Sequence, residues 1–177
     1  MTVLETERLR LRKITVDDAQ FMLTLLNEPA FLRYIGDKKV RNLEDGRQYI
    51  LNGPVASYER YGFGLLLVEF RESQTPIGMC GLLKREELPD PDIGFALLSD
   101  FCGKGFAFEA ADAVLQDAQR LKLKRILAIT TLDNEASINL LERLGFSFEK
   151  VVKLAPDGEQ LRLFTKSLEP RINADLL

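Results

Sequence analysis

Histidine and tryptophan are absent from the 177-residue chain, and cysteine occurs only at Cys80 and Cys102. Without histidine, acid–base chemistry has to use carboxylates, Tyr, Ser, Cys, Lys or water. Two cysteines make neither a disulfide framework nor the Cys/His spacing of a zinc site. We therefore expect no resident metal, and reduced thiols of the kind found in cytoplasmic proteins.

Long apolar runs and a strong charge of one sign are also missing. No apolar segment approaches the ~20 residues of a membrane helix, and the first residues lack the layout of a signal peptide. The 24 basic residues nearly balance the 27 acidic ones, for a net charge of −3, whereas nucleic-acid surfaces carry a basic excess. We expect neither a membrane nor a nucleic acid as partner, and a cationic acceptor is compatible with this charge.

The chain length suits one domain with a sizeable core. No repeat, low-complexity segment or linker divides the sequence. We predict a single domain over residues 1–170 and a loose C-terminal tail over residues 171–177.

The most informative stretch is a glycine-containing turn between a strand-like and a helical segment. Residues 93–98 (Ile-Gly-Phe-Ala-Leu-Leu) lead into Cys-Gly-Lys-Gly-Phe-Ala at 102–107, and a long helical pattern follows. Unpaired N–H groups and the dipole at a helix start favour an anion such as phosphate, and glycine lets the backbone approach it. A tight connection without any ligand is the alternative.

Two common nucleotide motifs do not fit this turn. The Walker pattern requires Ser or Thr where Gly105 stands. The dinucleotide fingerprint requires Gly where Phe108 stands. The turn therefore predicts an anion site that belongs to neither class.

Two motifs in this order resemble the GNAT N-acetyltransferases. Residues 102–107 are similar to the (Gln/Arg)-x-x-Gly-x-(Gly/Ala) pyrophosphate loop of that family, with Cys102 in place of the usual Gln or Arg. The wider Gly-Lys-Gly-Phe-Ala-x-Glu-Ala run resembles the branch that acetylates the N-terminal alanine or serine of ribosomal proteins. Residues 134–146 resemble the Asn-x-x-Ser…Leu-Gly-Phe block of the same branch. The resemblance extends from Leu4 to about Leu168.

The order of elements is one strand, two helices, three strands, helix, strand, helix and two strands. Consecutive strands favour antiparallel pairing, and strand–helix–strand favours a parallel pair. The resemblance implies an α/β fold with a mixed, mostly antiparallel central sheet, flanking helices and a splayed parallel pair, here residues 92–98 and 125–131. We further expect Pro29 to end or bend the first helix, residues 31–42 to form a loop, and Asn52-Gly53-Pro54 to break or restart the second helical stretch.

The resemblance also implies which residues hold a coenzyme in the acetyl-CoA cleft. The pyrophosphate would be held, mainly through backbone amides, by Gly103, Lys104, Gly105, Phe106 and Ala107. Backbone groups of Leu97 and Leu98 would pair with the pantetheine arm, although both residues also suit a core strand. Lys104 is equally compatible with a solvated loop lysine.

A second set of coenzyme contacts is implied for the helix after residue 133. Asn134 would contact the coenzyme arm, and Arg143 would meet a coenzyme phosphate. Each has a structural alternative: Asn134 is a good helix N-cap, and Arg143 suits the dipole at a helix C-terminus.

The resemblance implies direct attack of the amine on the thioester within a ternary complex. Ser137 would donate a proton to the leaving sulfur, and Asp92 would accept the amine proton through water. Ser137 is otherwise a first-turn residue and Asp92 an exposed residue at a strand start, while Glu86 and Glu87 compete with Asp92. Cys102 has no histidine partner, and we interpret it as a loop-packing residue.

The sequence therefore predicts an acetyl-CoA-dependent N-acetyltransferase. Its acceptor would be a primary amine, either a protein N-terminus or a small molecule, and the protein would be a monomer or a homodimer. The alternative is a module of the same fold that binds acyl-CoA to sense or scaffold without turnover.

Overall fold

An eight-stranded sheet forms the centre of the protein in the computed structural model, which describes residues 3–168. The strand order is β1-β2-β3-β4-β5-β6-β8-β7. The strands are β1 (Leu4–Glu5), β2 (Leu9–Lys13), β3 (Leu65–Phe70), β4 (Pro76–Leu83), β5 (Asp92–Leu97), β6 (Arg125–Thr131), β7 (Ser147–Val152) and β8 (Leu161–Ser167). The predicted tail at 171–177 lies outside the described residues.

Within the described residues, six α-helices flank this sheet. They are α1 (Ala19–Leu26), α2 (Pro29–Tyr34), α3 (Leu43–Ile50), α4 (Ala56–Tyr61), α5 (Phe106–Arg120) and α6 (Glu135–Arg143). A π-helical turn (Leu51–Val55) joins α3 to α4, and single 3-10 turns precede α1 and follow β5. No helix within residues 3–168 is long and apolar enough to cross a membrane.

All neighbouring strands pair antiparallel except β5 and β6. Those two run parallel and share a single register pair, Asp92 with Leu127, where the Leu127 N–H donates to the Pro91 carbonyl at 2.9 Å. Beyond that pair they diverge. The predicted fold class, including the splayed parallel pair, is confirmed.

Alternating side chains of the strands divide the core between the two faces of the sheet. Leu66 and Val68 of β3 belong to the larger cluster beneath α5 and α6, and Leu65 and Leu67 to the cluster beneath α1, α2 and α3. A small third cluster joins Leu88 of the loop before β5 to β6 and β8. The α5 helix packs on β1, β2, β4 and β5, so its N-terminus is fixed over the end of β5.

Three elements differ from the sequence-based expectation. The two-residue strand β1 was missed, because it is too short to show a period. Pro29 stands at the first position of α2, where proline suits a first turn, and residues 31–34 of the expected loop are therefore helical. Pro54 is buried inside the π turn, whose wider hydrogen-bonding pattern accommodates a residue without an N–H, so the chain stays helical from α3 to α4.

Tyr58 joins α4 to the sheet through its hydroxyl group. The hydroxyl donates to the Leu65 carbonyl and accepts from the Ile14 N–H at 3.0 Å. Burial raises the pKa of Tyr58 to about 12. Tyr58 therefore packs its helix against the sheet.

We expect Tyr58→Phe to lower the free energy of unfolding by about 1–3 kcal/mol, because it leaves a buried N–H and a buried carbonyl without their partner. Denaturant unfolding monitored by circular dichroism measures this loss. Tyr61→Phe is the matched control: the Tyr61 ring stacks on Phe63, and its hydroxyl has no protein partner within residues 3–168. Equal losses in the two variants would contradict the assigned role.

Candidate active site

The loop that follows β5 depends on two glycines. Gly103 has φ 75° and Gly105 has φ 86°, both in the left-handed region that disfavours residues with a Cβ. Gly105 is also the N-cap residue of α5, and no side chain caps that helix. The backbone of this loop therefore favours glycine at both positions.

The start of α5 presents a run of free hydrogen-bond donors. Among the residues that the structure describes, none accepts a hydrogen bond from the N–H groups of positions 103–108. These groups surround the positive end of a 15-residue helix. Lys104 is exposed beside them and forms no ion pair within the described part of the chain. The arrangement suits a phosphate group.

A gap between β5 and β6 opens beside this loop. The Leu98 N–H donates to the Ile77 carbonyl of β4 at 2.8 Å, and the Leu98 carbonyl accepts from Phe101 at 2.9 Å. Because successive residues of a strand direct their backbone groups to opposite sides, the groups of Leu97 point away from β4 and into the gap. Leu97 and Leu98 thus differ, since the backbone groups of Leu98 are already paired.

The α6 helix borders the far side of the gap. Asn134 is its N-cap and accepts a hydrogen bond from the Ser137 N–H at 3.3 Å, which confirms the capping role. The Ser137 hydroxyl is half-buried and has no protein partner within residues 3–168. Arg143 is the last residue of this helix, about 13 Å along the axis from Asn134 at 1.5 Å per residue. Its guanidinium lies 4.9 Å from the centroid of the Phe108 ring, in the first turn of α5.

Asp92 is the buried carboxylate at the start of β5. Its exposed fraction is 1%, and Arg85 Nε donates to both carboxylate oxygens at 3.1 and 3.3 Å. Burial raises the pKa of Asp92 above its ordinary value, although the charge and the hydrogen bond of Arg85 oppose that shift. The alternative of an exposed strand-start residue is wrong, because the loop before β5 folds over the side chain. Its competitors Glu86 and Glu87 are exposed on that loop.

A cavity of about 290 Å³ lies between the α3–α4 segment and the ends of β3 and β4. Tyr49 and Tyr61 line it, together with Leu83 and Lys84. Leu83 is the register partner of Asp92, and Asp92 points to this face because its neighbour Ile93 packs on the other. The cavity and the buried carboxylate therefore lie on the same side of the sheet.

Cys102 lies in a negative environment. Its sulfur is 3.9 and 3.6 Å from the carbonyl oxygens of Leu97 and Leu98. Partial burial, followed by the charge of Glu28, raises the pKa of this thiol. A position just before a helix start often lowers a thiol pKa, but here burial and the charge of Glu28 prevail. Cys102 has the character of a loop residue rather than of an activated nucleophile.

Two polar contacts tie the α1–α2 segment to the rims of the gap, and the sequence patterns missed both. Glu28 accepts from the Ser99 hydroxyl at 3.3 Å on the β5 side, and Arg33 donates to Asp133 at 3.3 Å on the β6 side. Such pairs join residues far apart in the chain, so no local signal reveals them. Within residues 3–168, no group of three or more Cys, Asp or Glu side chains is arranged to hold a metal ion.

Comparison with known sequences gives a consistent match. A family model described as an acetyltransferase (GNAT) domain matches residues 8–147. The uncharacterized N-acetyltransferase YoaA of Bacillus subtilis is 30% identical over 154 residues, which cover 85% of this chain and 86% of that protein.

Solved structures share the fold. An acetyltransferase from Agrobacterium tumefaciens superposes with a TM-score of 0.79 at 24% identity, covering 94% of both chains. A ribosomal-protein-S5-alanine acetyltransferase from Vibrio fischeri gives 0.77 at 21%, covering 94% of this chain and 97% of that one. The microcin C7 self-immunity acetyltransferase, in complex with acetyl-CoA and AMP, gives 0.75 at 18%, covering 92% and 94%.

Proposed function

The chain belongs to the acetyltransferase (GNAT) family, and on that premise we propose that it moves an acetyl group from acetyl-CoA to a primary amine. Membership confirms the family and the enzyme class that the two motifs predicted. The module without turnover is set aside, because the relatives are acetyltransferases. The acceptor and the mechanism below are proposals.

The observation that carries this proposal is the free N–H run of residues 103–108 beside the open β5–β6 gap. A pyrophosphate fits donors without acceptors at a helix start. An extended pantetheine arm fits a strand edge whose backbone groups have lost their neighbour. We propose that Gly103, Lys104, Gly105, Phe106 and Ala107 hold the pyrophosphate, and that Leu97 pairs with the arm while Leu98 flanks it. Asn134 and Arg143 would border the arm and the phosphates from α6.

We expect Gly105→Glu to abolish acetyl-CoA binding, because it places bulk and negative charge where the phosphates approach. Isothermal titration calorimetry with acetyl-CoA measures the affinity, and thermal melting checks the fold. Gly62→Glu is the control: Gly62 has φ 76° and open space at the end of α4, so it carries the same backbone strain away from the loop. Unchanged affinity in a folded Gly105→Glu protein would refute the pyrophosphate assignment.

Amine acetylation requires that the amine lose a proton, that the carbonyl be polarised and that the departing thiolate be protonated. We propose direct attack by the amine, with Ser137 donating to the sulfur. Its free hydroxyl in the first turn of α6, next to the gap, supports this role. The raised pKa of Cys102 gives no support to an acyl-enzyme route.

Ser137→Ala should reduce turnover by roughly 10²–10³-fold while acetyl-CoA affinity stays nearly unchanged, because the hydrogen bond strengthens only as thiolate charge develops. Asn134→Ala is the contrasting variant, since it should weaken coenzyme binding and cost about 1 kcal/mol of helix-cap stability. Steady-state rates by thiol release, with calorimetry for affinity, separate the two. A Ser137→Ala enzyme with normal turnover would leave this serine a first-turn residue only.

For the amine proton we propose Asp92 as the acceptor, through water. Its burial, its raised pKa and its place on the cavity side of the sheet support that role. The same carboxylate also anchors Arg85, so the two roles have to be separated by experiment.

Asp92→Asn should lower turnover most at neutral pH and recover as pH rises, because a larger share of the amine is then already deprotonated. In the unmodified enzyme, activity should fall as pH drops through the raised pKa of Asp92, since the protonated carboxyl accepts no proton. A full pH–rate profile measures both effects, with Glu86→Gln and Glu87→Gln as controls on the adjacent loop. A profile parallel to that of the unmodified enzyme would exclude Asp92 as the base.

The acceptor is proposed to be a protein N-terminus or a small primary amine that enters by the cavity lined by Tyr49 and Tyr61. The Vibrio fischeri neighbour, named for ribosomal-protein S5 alanine, supports the first, and the microcin self-immunity neighbour supports an acceptor of another kind. Thiol release with peptides beginning in Ala or Ser, against a panel of small amines, distinguishes them.

We propose the cytoplasm as the compartment of this protein, which its two free cysteines support.

A further inference from the structure

A cluster of three residues joins the N-terminal segment to the start of α5. Thr6 Oγ1 donates to Glu109 Oε2 at 2.5 Å, the Arg8 backbone N–H donates to the same oxygen at 3.0 Å, and Arg8 Nε donates to Glu109 Oε1 at 2.8 Å. We call Thr6, Arg8 and Glu109 the N-terminal clasp. Glu109 lies 103 positions from Thr6 and 101 from Arg8 in the sequence, and nothing in the reaction described above uses the three residues.

Arg8 also contacts the glycine loop itself. Its guanidinium lies 4.4 Å from the centroid of the Phe106 ring, and Nη2 would be 3.5 Å from a Cβ on Gly105. The Arg8 side chain is 45% exposed, and its two Nη groups have no hydrogen-bond partner within residues 3–168. The cation therefore lies beside the first residues of α5 with free donors.

Glu109 places a negative charge close to the proposed anion site. It lies in the first turn of α5, about 6 Å along the helix axis from the N-cap at 1.5 Å per residue. Partial burial raises its pKa, but the hydrogen bonds from Thr6 and Arg8 and the charge of Arg8 prevail, so the net pKa is lowered. The carboxylate is thus ionised at neutral pH. Alone, it would offset the helix dipole and repel a phosphate at the same helix end.

We propose that Arg8 is a positioning residue for the coenzyme, which neutralises Glu109 so that the start of α5 keeps a net positive potential toward phosphate. Glu109 in turn holds the guanidinium against Phe106 and Gly105. This inference rests on the proposed function, because it requires a coenzyme phosphate at the glycine loop. It assigns Arg8 to affinity for the coenzyme and not to the chemical step. A clasp that merely fastens the N-terminal segment to α5 is the competing explanation.

The test is calorimetric titration of acetyl-CoA into the full chain and four variants at low salt. Arg8→Gln should raise the dissociation constant about tenfold, the size expected for removing one unit charge about 6 Å from a phosphate at intermediate dielectric. Arg8→Lys keeps the charge and should remain within about threefold of the unmodified protein. Adding Glu109→Gln to Arg8→Gln should restore most of the affinity, because the repelling charge is then removed as well. Arg120→Gln, which breaks the ion pair with Asp117 at the far end of α5, should change nothing.

Two further measurements distinguish neutralisation of Glu109 from simple fastening of the N-terminal segment to α5. The loss in Arg8→Gln should shrink at 0.5 M NaCl, where screening is strong, and turnover at saturating acetyl-CoA should stay near the unmodified value. Melting temperatures confirm that each variant is folded. A fastening clasp predicts the reverse: no recovery in the double variant and no dependence on salt.

If Arg8→Gln binds acetyl-CoA normally, or if the double variant stays as weak as Arg8→Gln, the neutralisation proposal is overturned while the proposed function stands. If the unmodified protein binds no acetyl-CoA, both fail together.

Discussion

The divergence of β5 and β6 after the Asp92–Leu127 pair is the constraint on which the site depends. A sheet loses hydrogen bonds where two strands separate, and buried backbone groups without partners are costly. The protein places that cost in one location, beside the free N–H groups at the start of α5. The α1–α2 segment contacts both rims through Glu28 and Arg33. These contacts lie outside the gap, and a ligand with its own extended amide-bearing arm can replace the missing strand contacts inside it.

The lack of histidine limits which groups can exchange protons at this site. Since no side chain titrates near neutral pH by default, the site depends on shifted groups and on fixed dipoles. Asp92 is pushed toward neutrality by burial, while Arg85 keeps the ionised form available. At the other end, the start of α5 brings together free backbone N–H groups, Arg143 above Phe108 and Arg8 paired with Glu109, in a chain of net charge −3. Local arrangement, rather than overall charge, would thus set the proposed preference for phosphate.

Local signals in the sequence predicted the parts of the structure that local chemistry determines. The strand at 125–131 and the glycine loop before α5 were correct, because β-branched runs and left-handed turn positions leave clear patterns. The strand β1, the helix α2 and the π turn around Pro54 were missed, since short elements show no period and proline is ambiguous between a break and a first turn. Asp92 was expected to be exposed unless catalytic. Its burial depends on a loop that folds back, which no spacing along the chain encodes.

The two halves of the site differ in what a sequence can reveal, and the reason is physical. The proposed coenzyme end consists of backbone groups, so the residues that permit the backbone shape, Gly103 and Gly105, form a readable motif. The cavity on the other face is lined by side chains such as Tyr49, Tyr61 and Lys84, which come from separate segments and are brought together only by folding. Under the proposed assignment, substitutions there would change which amine fits without disturbing the loop that would hold the phosphates. If both proposals hold, acceptor choice can change independently of coenzyme binding, because one depends on side chains and the other on the backbone.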